Sequence, residues 1–449
     1  MSAPDPKSCF VALGFTFLAA CSVDLGDIPA TCSDGECPEG YDCIRGTCAK
    51  PGTPIPTTIV ELGYLRAGDM MVVPQTDSAL VLWETYPYDT VGQSIRAKRL
   101  YADGSTGDEL VLDDTWQADP GAVEPFFSAI ALSDTEVLFA ISSSPVEVDD
   151  PRPRIRAFRA EIPGPGQSGV VSSAPTWPDE VRMHTIGYGN VSQPRFVQGE
   201  AAGLELGYFE GIASAGTTSG RLAVFELDPA TGELLSTPPA CPVGDTDCCP
   251  ATNCMSSVRM GAIAAGVASA LPTDAGVVWT IDETRPSCIV TIEQPASFTE
   301  AQLDTLAIPL AVDGSSLLFL TPSARTGEGL PNDPVTGPAT LSRLDLDTKD
   351  ATEVGGLPTT RDTPRPVVVS RPSDVLVVTP GETVDSPTLE VFSIDRASGE
   401  STSIASIPRL STIEISTVGA VLSGDRLFVA WTEISDDKAV IRAAVIDAP

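Results

Sequence analysis

Apolar and polar positions along this chain change over in short runs, and few segments keep a 3.6-residue apolar period beyond two turns. The strongest signal is a segment dense in β-branched and aromatic residues that recurs seven times. The copies are 79–86 (ALVLWETY), 136–143 (EVLFAISS), 203–211 (GLELGYFEG), 275–283 (AGVVWTIDE), 316–324 (SLLFLTPSA), 374–382 (DVLVVTPGE) and 426–434 (RLFVAWTEI). Such residues fit a pleated, buried surface, so each copy predicts a strand. A second strand follows after a variable loop, as in 94–104, 153–164, 220–233, 339–353 and 388–400. Between strands lie tight reversals such as Asp228-Pro-Ala-Thr-Gly232 and Asp395-Arg-Ala-Ser-Gly399, where glycine supplies positive φ. With 40 prolines and 38 glycines, long helices are not expected.

One strand before and one after each pair gives a four-stranded unit, and this unit resembles a β-propeller blade. The inner strands are read at 70–73, 126–132, 194–198, 261–268, 306–312, 366–370 and 416–421, apolar and small as crowding around an axis requires. The fold class expected is all-β: a seven-bladed β-propeller of four-stranded antiparallel blades over 57–449. The third and fourth units are the weakest, which leaves six or eight blades open. The last unit stops at Pro449 without an outer strand, whereas 57–63 (TTIVELG) is a spare strand at the start. Pairing the two would close the ring and remove an exposed edge. Stacked sandwiches would explain neither feature.

The first 56 residues read differently. A short polar start with Lys7, an apolar run over 10–20 and the ending Leu18-Ala19-Ala20-Cys21 predict a secretory signal over 1–20, too short to span a bilayer. The small-small-Cys ending resembles the lipobox of bacterial lipoproteins. That resemblance implies cleavage before Cys21, acylation there with palmitate-type chains, and a membrane anchor, since several chains hold where one does not. A tether at 21–31 leads to Cys32, Cys37, Cys43 and Cys48, spaced with Gly35, Gly40 and Gly46 between them. A segment this small needs staples, so 32–48 is read as a two-disulfide knot, with three connectivities open. It resembles the short EGF-like or Dickkopf-type cysteine-rich motifs that recur behind lipoboxes in bacterial lipoproteins. Residues 49–56 form a proline-rich linker.

Charge narrows the partners. Against 27 Lys and Arg stand 61 Asp and Glu, a net −34, which repels phosphate backbones and excludes nucleic acid. Cationic proteins, neutral glycans and Ca²⁺-bridged ligands remain. Asp149-Asp150, Asp345/Asp347/Asp350 and Asp436-Asp437 could offer Ca²⁺ oxygen ligands, but none completes a binding motif. No cofactor and no metal site is read. Acyl anchoring places the chain at the cell envelope, on the outer membrane, with surface or periplasmic orientation open.

Long insertions at 142–153, 175–194, 237–257 and 322–338 fall on one rim of a propeller, and long loops on a rigid scaffold commonly carry function. Trp177, Tyr188 and His184, the only histidine, are the binding-face candidates; a plug at the channel mouth is the alternative for the rings. Cys241, Cys248, Cys249, Cys254 and Cys288 are disulfide candidates, with one thiol left over. A lone histidine cannot complete a triad, and no nucleophile–base motif is present, so no catalytic residue is named. The expected function is non-catalytic binding or scaffolding through the long-loop face. The alternatives are a carboxylate-dependent carbohydrate-active hydrolase or lyase, and a periplasmic component of envelope assembly.

Overall fold

A computed structural model of the protein describes residues 30–31, 37, 40, 42–44, 47–49, 54, 56–64, 70–85, 94–113, 126–143, 154–164, 171–177, 181–182, 194–199, 203–214, 217–236, 253–260, 266–273, 276–282, 288–294, 297–303, 308–313, 315–322, 336–361, 366–381, 388–408, 415–435 and 438–448. The chain divides into two compact units, Met1–Gly52 and Thr53–Pro449.

In the first unit the strands Ala30–Thr31, Asp42–Ile44 and Thr47–Ala49 form one antiparallel sheet with Thr47–Ala49 in the middle. Cys43 and Cys48 face each other in register, and Cys37 is disulfide-bonded. The second disulfide of the expected knot is not seen among the described residues. What the described residues show is backbone pairing and a disulfide at Cys37. Residues 1–29, and with them the signal segment and Cys21, lie outside the described residues, as does Cys32. No helix among the described residues is long and apolar enough to cross a membrane.

The second unit is built of antiparallel sheets in chain order, each running from an inner to an outer strand. The inner strands are Met70–Gln75, Phe126–Ser133, Arg195–Gly199, Gly266–Thr273, Ile308–Asp313, Val367–Ser370 and Ile415–Ser423, here numbered sheets 1 to 7. The second strands are Ser78–Thr85, Glu136–Ser143, Gly203–Ser214, Gly276–Asp282, Ser316–Pro322, Asp374–Pro380 and Arg426–Ser435. Third strands follow at Ser94–Tyr101, Arg154–Glu161, Thr217–Leu227, Cys288–Gln294, Thr336–Asp345, Thr388–Asp395 and Lys438–Asp447.

The uniform set of seven four-stranded blades expected from sequence is corrected. Six sheets have four strands, but sheet 2 has five, because Ser172–Pro175 and Val181–Arg182 both pair with Arg154–Glu161. The inner strand of sheet 4 is also shifted: it occupies Gly266–Thr273 rather than 261–268, and the preceding Asn253–Met260 is the outer strand of sheet 3.

Packing explains the second strands. Ser78–Thr85 and Asp374–Pro380 are buried along almost their whole length, as strands covered on both faces must be. Among the described residues apolar clusters join neighbouring sheets: Leu80 and Leu82 meet Phe127 and Phe139, Leu138 and Ala140 meet Leu206 and Phe225, and Val375 and Val377 meet Leu318 and Leu320. The last cluster of the series sets Phe428 and Ala430 of sheet 7 against Val81 and Trp83 of sheet 1. Each fully buried side chain of this size contributes roughly 1.5–3 kcal/mol.

The expected closure by an N-terminal strand is qualified by the packing of the seam. Thr57–Tyr64 does pair with Lys438–Asp447, with two register shifts. The seam is nonetheless held across its width by the apolar cluster, to which Ile59 adds one buried residue among many, and inner strands of sheets 7 and 1 touch directly. Gly419 lies so close to Val72 that a Cβ there would stand 2.9 Å from a Val72 methyl.

Candidate binding site at the axial mouth

Three first-to-second-strand hairpins, from sheets 7, 1 and 2, come together at one end of the inner strands. Their turns are short: Gln75 pairs with Ser78, Ser133 with Glu136, and Ser423 with Arg426. Asp77 and Gly424 take the left-handed conformation, at φ 55° and 57°, that such reversals need and that Asp and Gly tolerate. Around them lies an open cavity of about 640 Å³, lined by residues 74–77, 131–134 and 423–424.

Hydrogen bonds stitch the three turns together. Thr76 donates its amide (3.0 Å) and its hydroxyl (2.6 Å) to Asp134 Oδ1, joining sheets 1 and 2. The Ser423 hydroxyl donates to the Gln75 carbonyl at 2.5 Å, joining sheets 7 and 1. Gln75 Nε2 donates to the Pro74 carbonyl at 3.1 Å and reaches the Ser133 carbonyl at 3.5 Å. The Thr76 hydroxyl, then the Thr76 amide, holds the Asp134 carboxyl below its ordinary value, and the Arg99 charge adds to this. Asp134 is thus a carboxylate at neutral pH. It stands exposed on the rim with Asp77.

Behind the mouth runs a second device that the sequence analysis missed. Arg99, Arg159 and Arg343 hold the same place in the third strands of sheets 1, 2 and 5, opposite Leu80, Leu138 and Leu318. Arg99 donates to the Pro163 carbonyl (2.9 Å) and Arg343 to the Arg396 carbonyl, in each case just past the third strand of the next sheet. Arg371, from the first hairpin of sheet 6, does the same to the Ala448 carbonyl (3.1 Å) while pairing with Asp374. The signal in the sequence was an arginine at a fixed offset in the third strand. Its acceptors are carbonyls about 60 residues away, which no local pattern reveals.

The candidates from sequence fare unequally. Trp177 is buried, 3 % exposed, with its ring 5.2 Å from Phe225 and its indole N–H donating to the Gly232 carbonyl at 3.3 Å. It packs between sheets 2 and 3 and presents no exposed ring. His184, Tyr188, Cys241, Cys248 and Cys249 lie outside the described residues. Cys254 sits in the outer strand of sheet 3 opposite Ala223, and Cys288 opens the third strand of sheet 4 opposite Asp282.

The acidic turn at 345–350 is explained by its own backbone: Asp345 Oδ1 accepts the amides of Asp347 (2.9 Å) and Thr348 (2.8 Å). Asp228 and Asp395 cap their turns in the same way, and these bonds hold all three carboxyls below the ordinary range. Asp149-Asp150 and Asp436-Asp437 are outside the described residues. Among the described residues no group of three or more His, Cys, Asp or Glu is placed to hold a metal ion.

No family model matches this chain, and no curated protein does. The short stretches that carry the resemblances to bacterial lipoproteins and to EGF-like or Dickkopf-type motifs gain no support from these comparisons. Solved structures with similar folds include the Trypanosoma rangeli sialidase in complex with sialic acid (12 % identity, TM-score 0.41), of whose length this chain covers 56 % while 87 % of this chain is matched. The α-L-arabinofuranosidase Arb93A from Fusarium graminearum aligns over 88 % of this chain and 97 % of its own, at 11 % identity and TM-score 0.46. The β-propeller domain of the Trilobed protease from Pyrococcus furiosus aligns over 86 % and 97 %, at 9 % identity and TM-score 0.40. Likenesses at this level attach neither a family nor an activity to this chain. The chain is an all-β propeller by its own sheet order and packing.

Proposed function

We propose that this protein is a binding scaffold whose ligand seats at the axial mouth framed by the hairpins of sheets 7, 1 and 2. The carrying observation is the cavity of about 640 Å³ bounded by three hairpins that hydrogen bonds hold in fixed relation. A mouth built this way is pre-organised, so a ligand loses little affinity to ordering it. The test is capture of peptides and glycans from arrays by the full chain and by a variant with Pro74→Trp, which places a large ring in the mouth from an exposed wall position. Loss of the captured ligand with an unchanged melting temperature supports the reading. Equal capture by both chains overturns it.

Carbohydrate hydrolysis has one observation of its own. In sheet 3, Glu205 faces Glu226 directly across the strands where sheets 1, 2 and 5 pair Leu with Arg, and Glu205 is 7 % exposed. Paired carboxylates are glycosidase machinery. Turnover of any glycan in a hydrolysis panel that disappears in both Glu205→Gln and Glu226→Gln supports this second reading. Absence of turnover, or turnover that survives both changes, removes it.

A further inference from the structure

We infer that the axial mouth recognises a lysine- or arginine-bearing segment of a basic protein partner. This rests on the binding reading above and deepens it. The donors are turned inward: the Thr76 hydroxyl and amide serve Asp134, the Ser423 hydroxyl serves the Gln75 carbonyl, and Gln75 Nε2 serves the Pro74 and Ser133 carbonyls.

Three side-chain acceptors are left over. The Gln75 side chain is 4 % exposed, lines the cavity, and its Oε1 has no hydrogen-bond partner. A buried amide oxygen left so is destabilising, and a bound donor would relieve it. Among the described residues, Asp134 Oδ2 accepts no hydrogen bond and the Asp77 carboxylate has no partner, and both residues are exposed on the rim. Pro74, Ala131 and Leu132 supply apolar wall beside them.

An ammonium or guanidinium head carries donors and no acceptor, and its methylene stem suits an apolar wall. An anion would instead meet the two rim carboxylates, Asp77 and Asp134. The net charge of −34 strengthens the attraction at a distance and speeds encounter with a basic partner.

The experiment titrates the full chain with an end-blocked tri-lysine peptide carrying a fluorophore, read by anisotropy at low and at 0.5 M salt. Asp77→Asn/Asp134→Asn should weaken binding about twenty-five-fold, at about fivefold for each exposed carboxylate. The control, Asp347→Asn/Asp350→Asn, removes the same charge from an exposed turn on sheet 5 and should change affinity less than twofold. Asp77→Asn alone guards against a folding artefact, because asparagine accepts φ 55° and Asp77 holds no intramolecular partner among the described residues. It should weaken binding about fivefold.

Equal weakening by the mouth pair and the control pair would show attraction to the general field and overturn the site. Spermidine binding as tightly as the peptide would overturn the polypeptide partner. A neutral ligand lost on filling the mouth, with no effect of the aspartate changes, would keep the binding reading and remove the cationic one.

Discussion

Glu433 is the most exacting test of how the seam of the ring is held. Its side chain is fully buried. Oε1 accepts the Trp431 indole N–H at 2.7 Å, and Oε2 accepts Arg442 Nε at 2.9 Å. Arg442 Nη1 then donates to Thr58 Oγ1 at 2.8 Å, so one chain of bonds runs from the second strand of sheet 7 through its third strand to the N-terminal strand. Truncation by Glu433→Ala leaves a guanidinium whose side chain is only 15 % exposed, and a buried indole N–H without an acceptor. Breaking a buried pair from one side costs about 3–5 kcal/mol, and an orphaned donor about 1–3. These overlap, so a loss of about 4 kcal/mol is expected. Replacing both partners, as Glu433→Leu/Arg442→Met, removes the stranded charge and should recover most of that loss. The assay is urea unfolding followed by tryptophan fluorescence and near-ultraviolet circular dichroism, run as a double-mutant cycle. Hydrogen exchange in residues 57–64 should quicken in Glu433→Ala. A loss below about 1 kcal/mol, or a double variant no more stable than the single, would refute the reasoning.

Three further perturbations test the account elsewhere. Gly232 has φ 72°, and a Cβ there would meet the Leu138 side chain at 2.7 Å, so Gly232→Ala should lower stability by more than about 1 kcal/mol in thermal unfolding. Gly207 makes room for the Trp279 ring, so Gly207→Val should destabilise the chain by about 1–3 kcal/mol in the same measurement and alter near-ultraviolet dichroism; a neutral result would contradict the packing of sheet 3 on sheet 4. Arg371, then the Ser393 and Ser373 hydroxyls, hold the Asp374 carboxyl below its ordinary value, against an opposing effect of burial. The folded state therefore binds fewer protons than the unfolded one, and this stability is fully present above the unfolded value of about 3.9 and lost as pH falls through the folded one. Asp374→Asn should be less stable than the parent at neutral pH and lose less on acidification below about pH 4; identical acid-unfolding slopes would contradict this.

What the sequence made legible follows the range of the forces involved. The second strands were readable because burial on both faces demands the continuous apolar runs at 79–83 and 375–378, within the segments 79–86 and 374–382. The turns at Asp228 and Asp395 were readable because their bonds close within five residues. The small, apolar stretch 261–268 was not, since glycine and alanine carry no face preference that would separate the end of sheet 3 from the start of sheet 4. Trp177 misled because aromatic residues beside a long proline-bounded segment read as exposed; its N–H acceptor, Gly232, is 55 residues away. The mouth itself was hidden for a similar reason. Asp77 and Asp134 are ordinary turn formers in one dimension, and only the ring brings them to one cavity with Gln75 and Ser423.

Hydrogen exchange of the full chain with and without saturating tri-lysine peptide tests the central claim most directly. The account predicts added protection concentrated in residues 74–77, 131–134 and 423–424, lost in Asp77→Asn/Asp134→Asn. Protection spread evenly over the acidic turns, or confined to segments away from those three hairpins, would contradict it.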